Sequence, residues 1–287
     1  MKQKIHLLLI ILAVLNCSFI SSQLLKNLTS SYESFSAYYL DDPKTGDFNY
    51  NNRFRSNNYL NIKSNIAKNW NLELQIESYT PNALLNYSPN LKDTGVSTFK
   101  VQYINEKIDL TIGNFYQQFG SGMILRSWED RNLGINNSIR GLNANYRIND
   151  RINITALYGN QKKGFKYSKG YILGIDTEID VSQIFKNNST LILGLSYVGR
   201  NDNKNTGITY KNTTNLYSAR LDFSSSSYYS NIEIISKSKD PIMQFEKFSD
   251  NFVKKGSAFL FNTGFIKNGF GIDVTFRRLE NMTIYSE

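Results

Sequence analysis

Cysteine and histidine occur once each, as Cys17 and His6, and both fall within the first 22 residues. That stretch, MKQKIHLLLIILAVLNCSFISS, sets Lys2 and Lys4 before an apolar run from Ile5 to Leu15 and ends on small side chains. It reads as a secretory signal peptide, because the run is too short to span a membrane as a helix. Asn16 is a poor residue to stand before a lipid-modified cysteine, so the expectation is cleavage between Ser22 and Gln23 without lipid attachment. A chain exported this way has neither imidazole nor thiol. Ser-His-Asp and Cys-His nucleophiles, Cys/His zinc sites and disulfides are then all excluded. Only carboxylates, Lys, Arg, Tyr and hydroxyls remain for chemistry, and the chain is expected to be no enzyme and to need no cofactor.

Other scarcities narrow the class. No apolar stretch of about 18 residues follows the signal, which excludes a helical inner-membrane protein but not a membrane barrel. The formal charge of +9 falls by two when Lys2 and Lys4 leave, and the remaining basic residues are scattered. Nucleic acid is therefore not an expected partner. Proline is rare, at 4 residues, and no amphipathic helix of useful length competes with the pattern described next.

That pattern is alternation with a period of two. In Trp70-Asn71-Leu72-Glu73-Leu74-Gln75-Ile76-Glu77 the apolar side chains take one face and the polar ones the other, which only a strand separates cleanly. The same dyad recurs around Lys100, Asn145, Ile154, Leu193, Leu221 and Val274. About thirteen strands can be read, many near the ~9 to 11 residues that cross a bilayer tilted. Short turns are expected at Ala67 to Asn69, Asn105 to Lys107, Asn149 to Asp150, Ser224 to Ser227 and Lys267 to Gly269, with a longer one at Asp180 to Asn188. Long loops at Asp41 to Phe54, Tyr79 to Gly95, Gln117 to Asn137, Gly159 to Gly170, Gly199 to Thr213 and Ser238 to Lys255 alternate with them. Long connections at one end and short ones at the other, with aromatics such as Trp70, Tyr103, Tyr146 and Tyr158 near strand ends, describe an all-β, antiparallel up-and-down transmembrane β-barrel. Residues 1–22 are then the signal and 23–287 the barrel. The ending LENMTIYSE follows an upward strand with no closing segment, so the chain is expected to be the N-terminal part of a larger barrel.

One stretch stands apart: GNFYQQFGSGMILRSWEDRNLGINNSIRG, from Gly113 to Gly141. Gly120 and Gly122 permit a sharp reversal, and a short strand is expected at Met123 to Arg126. The loop is expected to fold back into the lumen, with Arg126, Trp128, Glu129, Asp130, Arg131 and Arg140 shaping a constriction that selects solutes. Its Gly-Ser-Gly is no phosphate loop, because no Lys follows at the required spacing. Glu129 and Asp130, adjacent in an extended chain, point apart and make a poor glycosidase pair. Inward-facing Glu73, Glu77, Lys100, Asp109, Arg147, Arg220, Asp222, Glu233, Asp273 and Arg277 are expected to line the lumen, either as a solute path or neutralising one another in a plugged one.

The Gly113 to Gly141 pattern resembles a signature of uncharacterised outer-membrane β-barrel proteins of Bacteroidota and, more loosely, alginate-export-type porins. The resemblance implies a Gram-negative outer-membrane location and a barrel fold, with no activity to carry over. The expected function is a porin-like barrel that passes or binds small polar solutes, with outer-membrane lipid around it. The alternative is a non-conducting barrel that anchors a surface or secretion assembly through surface or periplasmic protein partners.

Overall fold

The structure is a computed structural model that describes residues 27–44, 46, 53–84, 91, 94–185, 188–201, 213–244 and 247–282, with the backbone alone over 241–253. The signal segment 1–22, the residues after 282 and much of the expected loops Asp41 to Phe54, Tyr79 to Gly95 and Gly199 to Thr213 lie outside the described residues. Among the described residues no helix is long and apolar enough to cross a membrane.

The chain divides into two compact units. The first carries β1 (Leu28–Tyr38), β2 (Phe54–Ala67), β3 (Trp70–Ser78) and β4 (Thr94–Ile104). The second carries β5 (Ile108–Phe115), β6 (Ile139–Asn149), β7 (Ile152–Lys163), β8 (Tyr171–Asp180), β9 (Thr190–Asn201), β10 (Thr213–Ser224), β11 (Tyr228–Gln244), β12 (Lys247–Lys267) and β13 (Phe270–Glu280). Within each unit every long strand pairs antiparallel with its neighbours in the chain, giving β1-β2-β3-β4 in one and β5 through β13 in the other. The fold is thus all-β and up-and-down, as the alternation requires. The sheet is not closed among the described residues: in its own unit β1 is paired on one side only, and so is β13.

Asparagine explains the tight turns. Asn105 Oδ1 accepts the amides of Lys107 and Ile108 at 2.9 and 2.7 Å, and Asn149 Oδ1 accepts those of Arg151 and Ile152, both at 2.9 Å. Asn69 and Asn268 take positive φ, 68° and 53°, which their short polar side chains tolerate.

One expected loop is not a loop. Ser238 to Lys255 is mostly strand, because β11 continues to Gln244 and β12 begins at Lys247, forming a two-stranded ribbon past the end of β10. Register irregularities on either side of Pro241 absorb the residue that cannot donate to the ladder.

Register fixes which residues share a face, since directly paired residues project to the same side of an antiparallel sheet. In the second unit one cross-strand row reads Arg147, Asn153, Glu178, Gly194, Arg220, Glu233, Leu260, Arg277. Asp109, Asp222 and Asp273 fall on this same polar face. The opposite face carries rows such as Tyr146, Ile154, Thr177, Leu195, Ala219, Ile234, Phe259. Its large apolar side chains are exposed, Leu195 by 61%, Ile234 by 58% and Tyr217 by 55%. No folded core covers them. Aromatic pairs sit toward the ends of this apolar band, Phe185 with Phe223 at 5.7 Å and Tyr158 with Tyr171 at 5.4 Å, and the first unit has a pair of its own, Trp70 with Tyr103 at 5.1 Å.

Candidate functional site

The segment between β5 and β6 folds onto the polar face of the second unit. Gln118–Phe119 pairs antiparallel with Leu125–Arg126, so the expected strand at Met123 to Arg126 is a two-residue one. Gly120 and Gly122 make the reversal between them with φ of 52° and 88°, a region that L side chains enter at a cost. Ser127 closes the base, its hydroxyl accepting the Gln117 amide at 2.8 Å while its own amide donates to Gln117 oxygen at 2.9 Å.

The tip is apolar. Phe119, fully buried, with Ile124 and Leu125 packs into a cluster with Phe115, Ile139, Leu157, Ile172, Val198, Leu216, Ile235 and Ala258. Five successive strands, β7 to β11, each contribute one residue to this cluster, on the face that also carries the Arg220 row. Gly174 on β8 leaves the space, since a Cβ there would meet the Phe119 ring at 2.9 Å.

Beside this patch lies a buried ionic cluster. Arg220 on β10 forks onto Asp176, 2.8 Å to each carboxylate oxygen, and reaches Glu178 at 2.9 Å and the Ser196 hydroxyl at 2.6 Å. Glu233 on β11, fully buried, accepts the Ser218 hydroxyl at 2.6 Å and, from the loop, the amide of Ser121 at 3.0 Å. Gly194 and Gly120 are bare because a Cβ would meet Arg220 at 2.4 Å and Glu233 Oε1 at 2.8 Å. Lys237 and Asp240, both buried, pair at 3.3 Å, and Thr214 donates to Asp240 at 3.1 Å. Among the described residues no group of three Asp, Glu, His or Cys side chains is arranged to hold a metal ion.

Phe119 and the Ser121 amide seat the loop on the wall, and the charged residues of the Gly113 to Gly141 stretch have partners of their own. Arg126 is exposed and lies over the Trp128 ring at 4.9 Å. Glu129 pairs with Arg131 at 3.5 Å, and Asp130 caps a turn by accepting the amides of Asn132 and Leu133 at 2.9 and 3.1 Å. Arg140 does not join them: on β6 it alternates with buried Ile139 and so takes the other face, 5.0 Å over Tyr167. Of the expected lining residues, Arg220 is buried and Asp222 half-buried, whereas Arg147, Asp273 and Arg277 are exposed. Tyr229 donates to Asp273. Asp176, Glu178, Lys237 and Asp240 went unread in the sequence, although the dyads of their strands place them. The apolar socket also went unread. Its signal is doubled apolar pairs, Leu157-Tyr158, Ile172-Leu173, Tyr197-Val198, Leu216-Tyr217 and Ile234-Ile235, each breaking alternation once.

The first unit repeats the theme without a buried arginine. Glu77, fully buried, accepts Tyr79 Oη at 2.7 Å and Gln75 Nε2 at 3.1 Å. Burial, with the Glu77 charge next, pushes the Tyr79 phenol far above its usual range. Residues past β3 fold back over β2: Ser56 donates to the Thr80 oxygen at 2.6 Å and Asn57 accepts the Leu84 amide at 3.0 Å. Glu73 lies between Lys63 and Lys100, 3.4 Å from each, half-buried.

An up-and-down antiparallel sheet with hairpin turns at one end, long connections at the other and an apolar outer face defines a protein of the β-barrel class. More particularly, the chain belongs to the DUF6029 family, a family of unknown function, whose model matches residues 1–287. No curated protein matches it. Solved structures overlap loosely. OprB of Pseudomonas putida, at high pH, is 12% identical with a TM-score of 0.48, covering 90% of this chain and 76% of its own. OccAB2 of Acinetobacter baumannii is 10% identical with a TM-score of 0.41, covering 84% and 75%. OccK3 (OpdO) of Pseudomonas aeruginosa is 7% identical with a TM-score of 0.40, covering 86% and 77%.

Proposed function

We propose that this chain forms wall of an outer-membrane β-barrel that passes or binds small polar solutes, with the polar face toward the lumen and the Gln117 to Asn137 loop narrowing the path. One observation carries the reading: the loop is seated on the polar face, through Phe119 and the Ser121 to Glu233 bond, while the other face exposes a continuous apolar band. Such a band has its free-energy minimum in lipid, and a charged, hydroxyl-rich face has its minimum in water. The mechanism is diffusion through a polar channel, with no covalent step. In this reading the chain is exported with a cleaved signal peptide and resides in a Gram-negative outer membrane, where the apolar band meets lipid.

The roles divide along the loop. Phe119 and its neighbours anchor it, and the outer charges, Arg126 with the Glu129-Arg131 pair, stand where a passing solute meets them. The wall charges Glu73, Lys100, Asp109, Arg147, Asp222, Asp273 and Arg277 set a weak ion preference. A second reading, a plugged barrel that anchors a surface assembly, draws on the complete burial of Phe119 and Glu233, which fill space a conducting path would need.

Single-channel conductance of the full gene product in a planar bilayer separates these readings. Discrete steps whose size or ion preference changes with Arg126→Ala or Glu129→Ala support the path and the loop's place in it. Stable insertion without steps sinks it and leaves the anchoring reading. Cysteines introduced at Glu73 and Lys100 add a check, because a chain without its signal has no competing thiol: both should react with a water-soluble reagent if they line an open lumen.

A further inference from the structure

Two long connections of the second unit leave the wall in opposite directions. The Gln117 to Asn137 loop turns onto the polar face, whereas the hairpin at the end of β7 turns onto the apolar one. Lys162 and Lys163 pair with Tyr167 and Lys166, and Gly164 takes a φ of 60° in the reversal. Tyr167 reaches back across the wall: Asn114 Nδ2 donates to its hydroxyl at 2.9 Å, and the Arg140 guanidinium carbon lies 5.0 Å from its ring centre. Asn114 and Arg140 are register partners on the apolar face. Asn160 fastens the hairpin's end, its Nδ2 donating to the oxygens of Gly170 at 2.7 Å and Ser168 at 3.3 Å.

The wall changes character at this level. One cross-strand row, Ile112, Leu142, Tyr158 and Leu173, is apolar and about half exposed throughout. The next row of that face, roughly 7 Å further along the strands, is Asn114, Arg140 and Asn160. Lys166 and Lys169, both exposed, flank Tyr167. From Ile135 to Ile175 the one acidic residue is Asp150, and it sits in the turn at the opposite end of β6 and β7. An apolar surface thus gives way to amides and cations within two residues.

We propose that this rim docks the anionic phosphate headgroup of a membrane lipid, with Lys166 and Lys169 supplying the attraction and the row from Ile112 to Leu173 lying along the acyl chains. Lysine stems run over apolar surface while their ammonium groups stay in water, the level at which lipid phosphates lie. The attraction acts through the field and asks for no convergence on one point: each cation near the surface strengthens the binding of anionic lipid by roughly fivefold. A zwitterionic headgroup gains less, because the lysines repel its cation. The bonds from Tyr167 to Asn114 and from Asn160 to Gly170 order the hairpin in advance, which lowers the entropy lost on docking.

The inference rests on the reading of the apolar band as lipid-facing, and one assay separates the two. The full chain carries Leu142→Trp as a reporter within the apolar row, with Trp70→Phe and Trp128→Phe to silence the others, and is refolded into phosphatidylcholine vesicles. Phosphatidic acid or phosphatidylcholine with brominated acyl chains is added at equal mole fraction, and quenching of the reporter is read at one ionic strength. Phosphatidic acid should quench as though enriched roughly fivefold or more over phosphatidylcholine, and Lys166→Gln with Lys169→Gln should bring the two lipids level. Equal quenching in the chain with both lysines overturns the site and leaves the band in lipid. A preference that survives the double substitution overturns the site too. Quenching by neither lipid takes Leu142 out of the bilayer and overturns band and site together. Should the double variant fail to insert, Lys169→Gln alone must lower the preference, and an unchanged one overturns the site.

Discussion

Two buried carboxylates, Glu77 in the first unit and Glu233 in the second, solve one problem in different company. Each is fully buried, and each accepts a hydrogen bond from a segment folded over the polar face, Tyr79 Oη in one case and the Ser121 amide in the other. Glu77 is held by a phenol and an amide side chain. Glu233 sits beside a cluster in which Arg220 binds Asp176 and Glu178. Burying a charge is costly unless it is paired or fully hydrogen-bonded. Glu77 takes a phenol and an amide, Glu233 a hydroxyl and a backbone amide, and only beside Glu233 do two further carboxylates, Asp176 and Glu178, share one buried cation. Substitutions should therefore be mild in the first and severe in the second.

The largest effect is expected from Arg220→Ala, which strands Asp176 and Glu178 without their cation and should cost about 3–5 kcal/mol in chemical unfolding of the refolded protein. Glu77→Gln, which removes the charge but keeps the shape, should cost only about 1 kcal/mol by the same assay. Equal losses would erase the distinction. Phe119→Ala empties the socket and should cost about 3 kcal/mol, at the low end for a buried phenylalanine because the loop can relax. Its loop should also become susceptible to added protease while the strands stay protected. Gly120→Ala tests the reversal at φ 52°, where a methyl group meets Glu233 at 2.8 Å; about 1–2 kcal/mol is expected, read from the shift of the unfolding midpoint.

The smallest effect sharpens the first unit by pH. The Tyr79 phenol is raised in the folded state, first by burial and then by the Glu77 charge. A group raised above its unfolded value contributes stability that is complete below that value, about 10 for tyrosine, and is lost as pH climbs beyond it. Unfolding measured between neutral and strongly alkaline pH should show this loss in the native chain, and Tyr79→Phe should flatten it while costing about 1 kcal/mol at neutral pH. A native chain whose alkaline loss survives Tyr79→Phe would take Tyr79 out of the comparison.

The strands were legible because water and lipid impose alternation on them. Leu72, Leu74 and Ile76 on one side of β3, with Glu73, Gln75 and Glu77 on the other, allow one register. Legibility ended where that pressure ends. Around Ser238 to Lys255 the sequence does not alternate, and Pro241 reads as a loop residue although it pairs with Val253. The loop's seat was illegible for a related reason. Arg126, Glu129, Asp130 and Arg131 attract attention as chemistry, with Glu129 paired to Arg131, Asp130 capping a turn and Arg126 over Trp128. Phe119 and Ile124 do the docking, into a socket built from Leu157, Ile172, Val198, Leu216 and Ile235, which are 33 or more residues further along the chain and form a surface only after the strands align. No local window holds both halves.

The bond from Ser121 to Glu233 spans 112 residues, whereas the ladders of the second unit join strands adjacent in the chain. Hairpins can therefore form one after another from β6 onward, each closing a short segment at small entropic cost. Glu233, the acceptor of the Ser121 amide, joins the wall only with β11, after β7 to β10 have supplied Leu157, Ile172, Val198 and Leu216. The loop's apolar seat can therefore exist before its polar latch does.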